Sequence, residues 1–316
     1  MTARSTDFGL VLPGVARIPV KLWVALVTAL AFLTVPSAAF GAEEFEPADE
    51  FRLDPWIPIE IFGIDMSINK AVFYIFLAAI LTVLVMVLVA RSMKVRPDSK
   101  MQTTVELAYG LMKDNITDSN LNPKMAAKWF PFIATLFLFI WFSNMIGYLP
   151  LPTNTTHTMN VAGLELPTFA IYAATANISM PLVLALVVWV SYNVEGIRAK
   201  GFFGYIRGLV PAGVEGFMVG PILAIELLSH FVRLISLSLR LYANILAGHL
   251  LILFMAGGLV VLLGMGLVGS TILGLATGVL GVAFFLFEIG LVATLQAFIF
   301  STLTAIYLDG AVAEEH

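Results

Sequence analysis

The sequence predicts an all-α polytopic membrane protein with about five mature membrane-embedded helices, the last two long, strongly tilted and paired as a hairpin. Three observations carry this prediction. Hydrophobic residues make up 59% of the 316-residue chain and charged residues only 12%, with a mean hydropathy of +0.95, whereas soluble domains are about a quarter charged. Apolar stretches of spanning length recur at 69–90, 129–150 and 175–194. Two more, 220–266 and 270–308, run to about 40 residues, so at 1.5 Å per residue each helix would exceed about 55 Å against a hydrocarbon core of about 30 Å. Each must tilt strongly or break, and the glycines at 257, 258, 264, 266 and 269 mark where the pair turns back.

Taken in chain order, Arg4, Arg17 and Lys21 precede the apolar run LWVALVTALAFLTV and the small residues PSAAFGA. This is the layout of a secretory signal peptide or leader over 1–42, ending near Gly41 or Ala42. An uncleaved first span is the alternative, and either way 43–68 is an external segment. The membrane domain then covers 69–309, leaving 310–316 as a cytoplasmic tail. The first mature span, 69–90, ends in Arg91, Lys94, Arg96 and Lys100. Residues 100–119 are moderately amphipathic and read as an interfacial helix. The span 129–150 carries Trp129 and Tyr148 at its ends, placed like interface aromatics. A loop without Lys or Arg follows over 150–174, and 175–194 crosses again toward Arg198, Lys200 and Arg207. Basic residues gather at 91–100, 113–128 and 198–207, so the positive-inside rule sets those loops and the C-terminus in the cytoplasm and the mature N-terminus outside.

Composition also excludes function classes. A net charge of −4 without a basic block argues against nucleic acid as a partner. There are no cysteines, and the four histidines are scattered, so neither thiol chemistry nor a metal site is expected. No P-loop, GxSxG or HExxH motif is present, so the chain is expected to be no enzyme on its own and to need no cofactor.

Chemistry concentrates in ISLSLRLYANILAGHLL, residues 235–251, where Arg240 sits among leucines. A cation at mid-bilayer costs about 3 kcal/mol on insertion scales, which marks a function or a structural ion pair with a carboxylate on another helix. Glu226, Arg233, Arg240 and Ala247 recur every seven residues and share one stripe, beside a stripe of Ser229, Ser236 and Ala243 that lets another helix approach closely. Arg233 can snorkel or pair with Glu226, and Glu226 either joins that pair or lines a water-filled path. His249 lies about 180° around the helix from Arg240. In the final helix, Glu288 lies in apolar sequence and Gln296 follows it. Antiparallel packing would bring Glu288 toward His249 as a proton relay or a static buried hydrogen bond. Asn144 reads as a polar helix-packing residue.

These residues carry a resemblance. ISLSLRLYANILAGHLL, then TLQAFIFSTLTAIYL, with FGIDMSINKAVFYIF, SNMIGYLP and TANISMPLVLAL, are similar to subunit a of the F-type ATP synthases over about residues 56–308. The resemblance implies a stator that forms two proton half-channels against a ring of c subunits. Arg240 would face the ring carboxylate as the essential charge. Asn244, His249, Glu288, Gln296 and Glu226 would line the proton path. It further implies b-type peripheral stalk subunits and the other ATP synthase subunits as partners, in a bacterial plasma (inner) membrane. His249 and Glu288 stand in the reverse of the common bacterial order, and the eight-residue interval from Glu288 to Gln296 is one longer than usual. A self-contained ion channel or secondary transporter is the rival class. Internal repeats would favour it, and none is visible between the two halves.

Overall fold

The computed structural model describes residues 51–92, 100–161, 164–211, 213–214, 216–255 and 267–313. The expected leader, Lys94 and Arg96, the glycine turn at 257–266 and the last three residues of the tail lie outside the described residues. The architecture is a bundle of α-helices, five of them long and apolar enough to cross a membrane, as expected. The protein is a multi-pass membrane protein.

A small two-stranded unit comes first. Strands β1 (Glu60–Ile61) and β2 (Ile64–Asp65) pair antiparallel, and Ile57 bridges Ile68 just outside them. Asp65 accepts hydrogen bonds from the Ser67 amide at 2.9 Å and from the Ser67 hydroxyl. Those bonds to the ionised form hold its carboxyl below the usual carboxylate range. Asn69 then starts α1 (Lys70–Ser92), its side chain accepting from the Val72 amide at 3.1 Å. Ala71, Tyr74, Ala78 and Thr82 recur at helical spacing and are buried, whereas Phe76, Ile80, Val83 and Val87 point outward to lipid.

Helix α2 (Lys100–Gly110) continues as a π-helical stretch, Leu111–Asp118, whose Met112 and Ile116 join the core. Helix α3 (Pro123–Gly147) begins earlier than expected, because Asn122 caps it by accepting from the Met125 amide at 3.1 Å and Pro123 suits the first turn. The segment expected as a plain loop forms a hairpin of β3 (Leu151–Val161) and β4 (Leu164–Ala170), pairing Val161 with Leu164 and Asn154 with Thr168. Its threonine-rich sequence supplies the β-branched residues that favour extended backbone.

Helix α4 (Ser179–Lys200) stops at Gly201, whose φ of +73° is the left-handed end that glycine provides and whose amide bonds the Ile197 carbonyl at 2.8 Å. A short α5 (Phe202–Arg207) folds back so closely that a Cβ on Gly196 would meet the Tyr205 ring. Helix α6 (Val219–Leu253) is the first of the two overlong segments. The second is α7 (Leu267–Phe287), a π-helical turn at Glu288–Val292, and α8 (Ala293–Val312), within which Val268–Val312 is an apolar run of 45 residues. Helix α8 packs against α3 and α4, and α6 packs on α4. Helix α7 leaves Ile272, Leu275 and Val279 exposed.

Candidate functional site

The two faces of α6 differ sharply. Leu237, Leu241, Ile245, Gly248, His249 and Ile252 are buried against the bundle, at the spacing of one helix face. Arg240 is exposed on the opposite side, together with Ser236, Ala243 and Ala247. Among the described residues Arg240 makes no ion pair, and no carboxylate of the kind a structural pair would need is found beside it there. Asn244, one turn beyond, is half-buried.

The heptad stripe drawn through Glu226, Arg233 and Arg240 does not stay on one surface. Glu226 and Arg233 line a cavity of about 190 Å³ with His230, Tyr192, Tyr205 and Tyr307. Arg233 lies over the Tyr307 ring, 5.6 Å from its centroid, and forms no ion pair with Glu226. A heptad drifts about 20° per step on a straight helix, so a stripe that starts at an internal crevice reaches the open face within two steps.

At the other end of α6, His249 is 1% exposed. Its Nδ1 lies 3.0 Å from the Ile245 carbonyl and its Nε2 3.2 Å from the Gly147 carbonyl. A neutral ring can donate to only one of these oxygens, whereas an imidazolium donates to both. Tyr148 lies against this ring, with centroids 4.7 Å apart. The Tyr148 hydroxyl donates to Glu288 Oε2 at 3.0 Å. Tyr148 is fully buried, so it is not the interface aromatic that its position at the end of an apolar run predicted. Glu288 lies directly against α6: a Cβ on Gly248 would come within 2.5 Å of its carboxyl carbon. His249 and Glu288 are thus brought to one site, with Tyr148 touching both.

The π-helical turn explains the long interval to Gln296. Eight residues of regular helix would separate two side chains by about 80°, but one π turn absorbs an extra residue, leaving the pair about 20° apart. Glu288 and Gln296 accordingly are both buried, each 7% exposed. Asn144 packs as expected, its Oδ1 accepting from the Thr175 hydroxyl at 2.8 Å and its Nδ2 donating to the Ala293 carbonyl at 3.4 Å.

Sequence reasoning missed two residues. Tyr148 could not be told from an interface anchor without its packing partner. His230 was passed over as one of four scattered histidines, although its place between Glu226 and Arg233 on one helix face was a usable signal. Among the described residues, no group of three side chains gathers that could hold a metal ion.

The profile of the family described as ATP synthase A chain matches residues 72–309. A protein of Maricaulis maris named ATP synthase subunit a is 31% identical over 276 residues, which cover 85% of this chain and 98% of that protein. Its namesake in Parvibaculum lavamentivorans is 33% identical over 284 residues, 88% and 100% of the two chains, and that of Brucella ovis 32% identical over 273 residues, 86% and 99%.

Proposed function

Because the chain belongs to the ATP synthase A chain family, we propose that it is the stator against which a ring of c subunits turns, with Arg240 as the essential charge facing the ring carboxylate. The chain is a membrane subunit of the rotary ATP synthase, serving ATP synthesis and proton transport together with the other ATP synthase subunits.

One observation supports the finer reading: Arg240 stands exposed and, among the described residues, without an ion pair, between two polar sites that α6 holds apart. Along the helix axis, His230 is about 15 Å to one side of it and His249 about 14 Å to the other. The His249–Tyr148–Glu288 group serves the external half-channel, with Gln296 on the same face of the last helix. Glu226 and its cavity serve the cytoplasmic one. Asn244, next to the arginine, borders the path between them.

An arginine side chain holds its proton throughout the physiological range, so it attracts a carboxylate without relaying a proton. A cation at the interface favours the ionised form of each ring carboxylate as it arrives. It also blocks a direct leak from one half-channel to the other. Protons must then travel with the ring, each releasing about 2.3 kcal/mol per 100 mV of membrane potential. The surrounding assignment follows: a bacterial inner membrane, b-type stalk subunits beside the c-ring, no nucleotide site in this subunit, a leader at 1–42, an external segment at 43–68, the membrane domain at 69–309, a cytoplasmic tail, and the mature N-terminus outside.

The test is ATP-driven proton pumping in membrane vesicles carrying Arg240→Ala. Loss of the charge eases insertion, so the subunit should be present at wild-type levels and pumping absent. Arg240→Lys should fail as well, because a buried ammonium can release its proton and offers no planar fork. Pumping near the wild-type rate in Arg240→Ala would overturn the reading.

A further inference from the structure

The cavity at the start of α6 holds a titratable group to which no role has been given. His230 is 8% exposed, and its Nδ1 lies 3.0 Å from the Tyr192 hydroxyl. Every element around the cavity contributes a polar group. Helix α4 gives Tyr192 and Lys200, α5 gives Tyr205, α6 gives Glu226 and Arg233, and α8 gives Tyr307. Lys200 is tied down, donating to the Ala313 carbonyl at 2.6 Å, and Tyr205 donates to Asn193 Oδ1 at 3.0 Å. A volume of about 190 Å³ has room for about six waters at the density of the liquid.

We infer that His230 is a further proton-carrying residue, passing protons between the ring's path and the cytoplasm through this cavity. The inference rests on the stator reading given above and names the group that titrates on its cytoplasmic side. Of the side chains facing the cavity, only the imidazole changes charge near neutral pH in the ordinary case. Glutamate, tyrosine, lysine and arginine ordinarily titrate well outside that range. In the proton-accepting tautomer, Nδ1–H donates to the Tyr192 oxygen and the Nε2 lone pair is left to the cavity. A proton arriving through cavity water binds Nε2, giving an imidazolium, and leaves from Nε2 to a second water. The first transfer breaks an O–H bond of the donor water and makes Nε2–H, and the second breaks Nε2–H and makes an O–H bond on the acceptor water. Tyr192 acts as a positioning residue that fixes the ring and its tautomer. Glu226 lies one turn before His230 and Arg233 one turn after it on the same helix.

The experiment is ATP-driven pumping by the whole ATP synthase in inverted membrane vesicles, followed across pH with His230→Gln and Tyr192→Phe. The wild-type rate should show an inflection where His230 titrates. His230→Gln retains an amide that can bond Tyr192, so packing is kept; its profile should lose that inflection, and its rate at the optimum should fall several-fold. Tyr192→Phe should keep the inflection at a displaced pH. An unchanged profile in His230→Gln overturns the inference. If that variant leaves no subunit in the membrane, Tyr192→Phe decides, since it removes one hydroxyl only, and an unmoved inflection there overturns it too. Arg240→Ala in the same vesicles separates the two failures. Pumping in that variant sinks the stator reading, whereas its loss beside an unaltered His230→Gln profile sinks only the assignment of His230.

Discussion

Arg240 and His249 stand nine residues apart on one helix and have opposite surroundings. The arginine side of α6 is open, lined by Ser236, Ala243 and Ala247, small residues that leave room for another helix's backbone. The histidine side is closed, with Tyr148 stacked on the ring, Glu288 pressed on Gly248 and two carbonyls facing the imidazole nitrogens. The difference separates two requirements. On the proposed reading, Arg240 meets a succession of moving partners and is left without one among the described residues. A residue that must accept and release protons at a fixed place has to be held.

The sharpest way to break this contrast, after the arginine substitutions, is to exchange the held pair. His249→Glu sets two carboxyls together at the Tyr148 hydroxyl, and one carboxylate then opposes ionisation of the other. Pumping should fall at least ten-fold in this variant and in Glu288→His, and the double variant should recover part of the loss. Groups that share a site do not combine additively. Pumping rates in vesicles, with subunit content assayed separately, provide the check. A double variant as poor as the product of the singles would mean that the closed side is two independent residues.

A milder change tests what joins them. Tyr148→Phe removes the hydroxyl that donates to Glu288 and leaves the ring on His249. A hydrogen bond to a charged group contributes about 1.5–3 kcal/mol, so pumping should fall between roughly ten-fold and a hundred-fold if the bond holds the working geometry. The interaction between His249 and Glu288 in the double-variant cycle should shrink with it. A wild-type rate in Tyr148→Phe would reduce the tyrosine to a packing residue.

The smallest effect belongs to the two-stranded unit at Glu60–Asp65. Asp65 has its carboxyl held below the usual range by Ser67. A carboxyl whose pKa is lower folded than unfolded adds stability above its unfolded value, near 3.9, and that stability is lost as pH falls through the folded value. Ser67→Ala should therefore weaken hydrogen-exchange protection of residues 57–68 at neutral pH and flatten its dependence below about pH 4, with pumping unaffected. Equal protection in both proteins at neutral pH would show that the Asp65–Ser67 bonds contribute nothing there.

The sequence made some of this legible and hid the rest for physical reasons. Apolar length marked α1, α3 and α4, and excess length marked the final pair, because backbone groups in lipid must be satisfied within a helix. Helical geometry alone puts His249 opposite Arg240. The β3–β4 hairpin reads as a loop in the sequence because a two-stranded threonine-rich segment has no apolar periodicity to announce it. Tyr148 was misread because an aromatic residue at the end of an apolar run has one signature whether it anchors in headgroups or packs on a histidine. The heptad stripe named Glu226, Arg233 and Arg240 as companions, whereas the fold gives the first two to a crevice against α8, where His230 joins them. Which face meets which neighbour is a tertiary fact that spacing on one helix does not contain.

The central claim is that the open side of α6 meets the c-ring. The natural chain has no cysteine, so single cysteines can be placed along α6 and paired with one beside the carboxylate of the ring's hairpin subunit. A disulfide needs Cα atoms within about 7 Å. Ala243 and Ala247, both exposed, should cross-link to the ring subunit on mild oxidation, and Ile245, which is completely buried, should not. Cross-linking at Ile245 with none at Ala243 or Ala247, in assembled enzyme, would contradict the account.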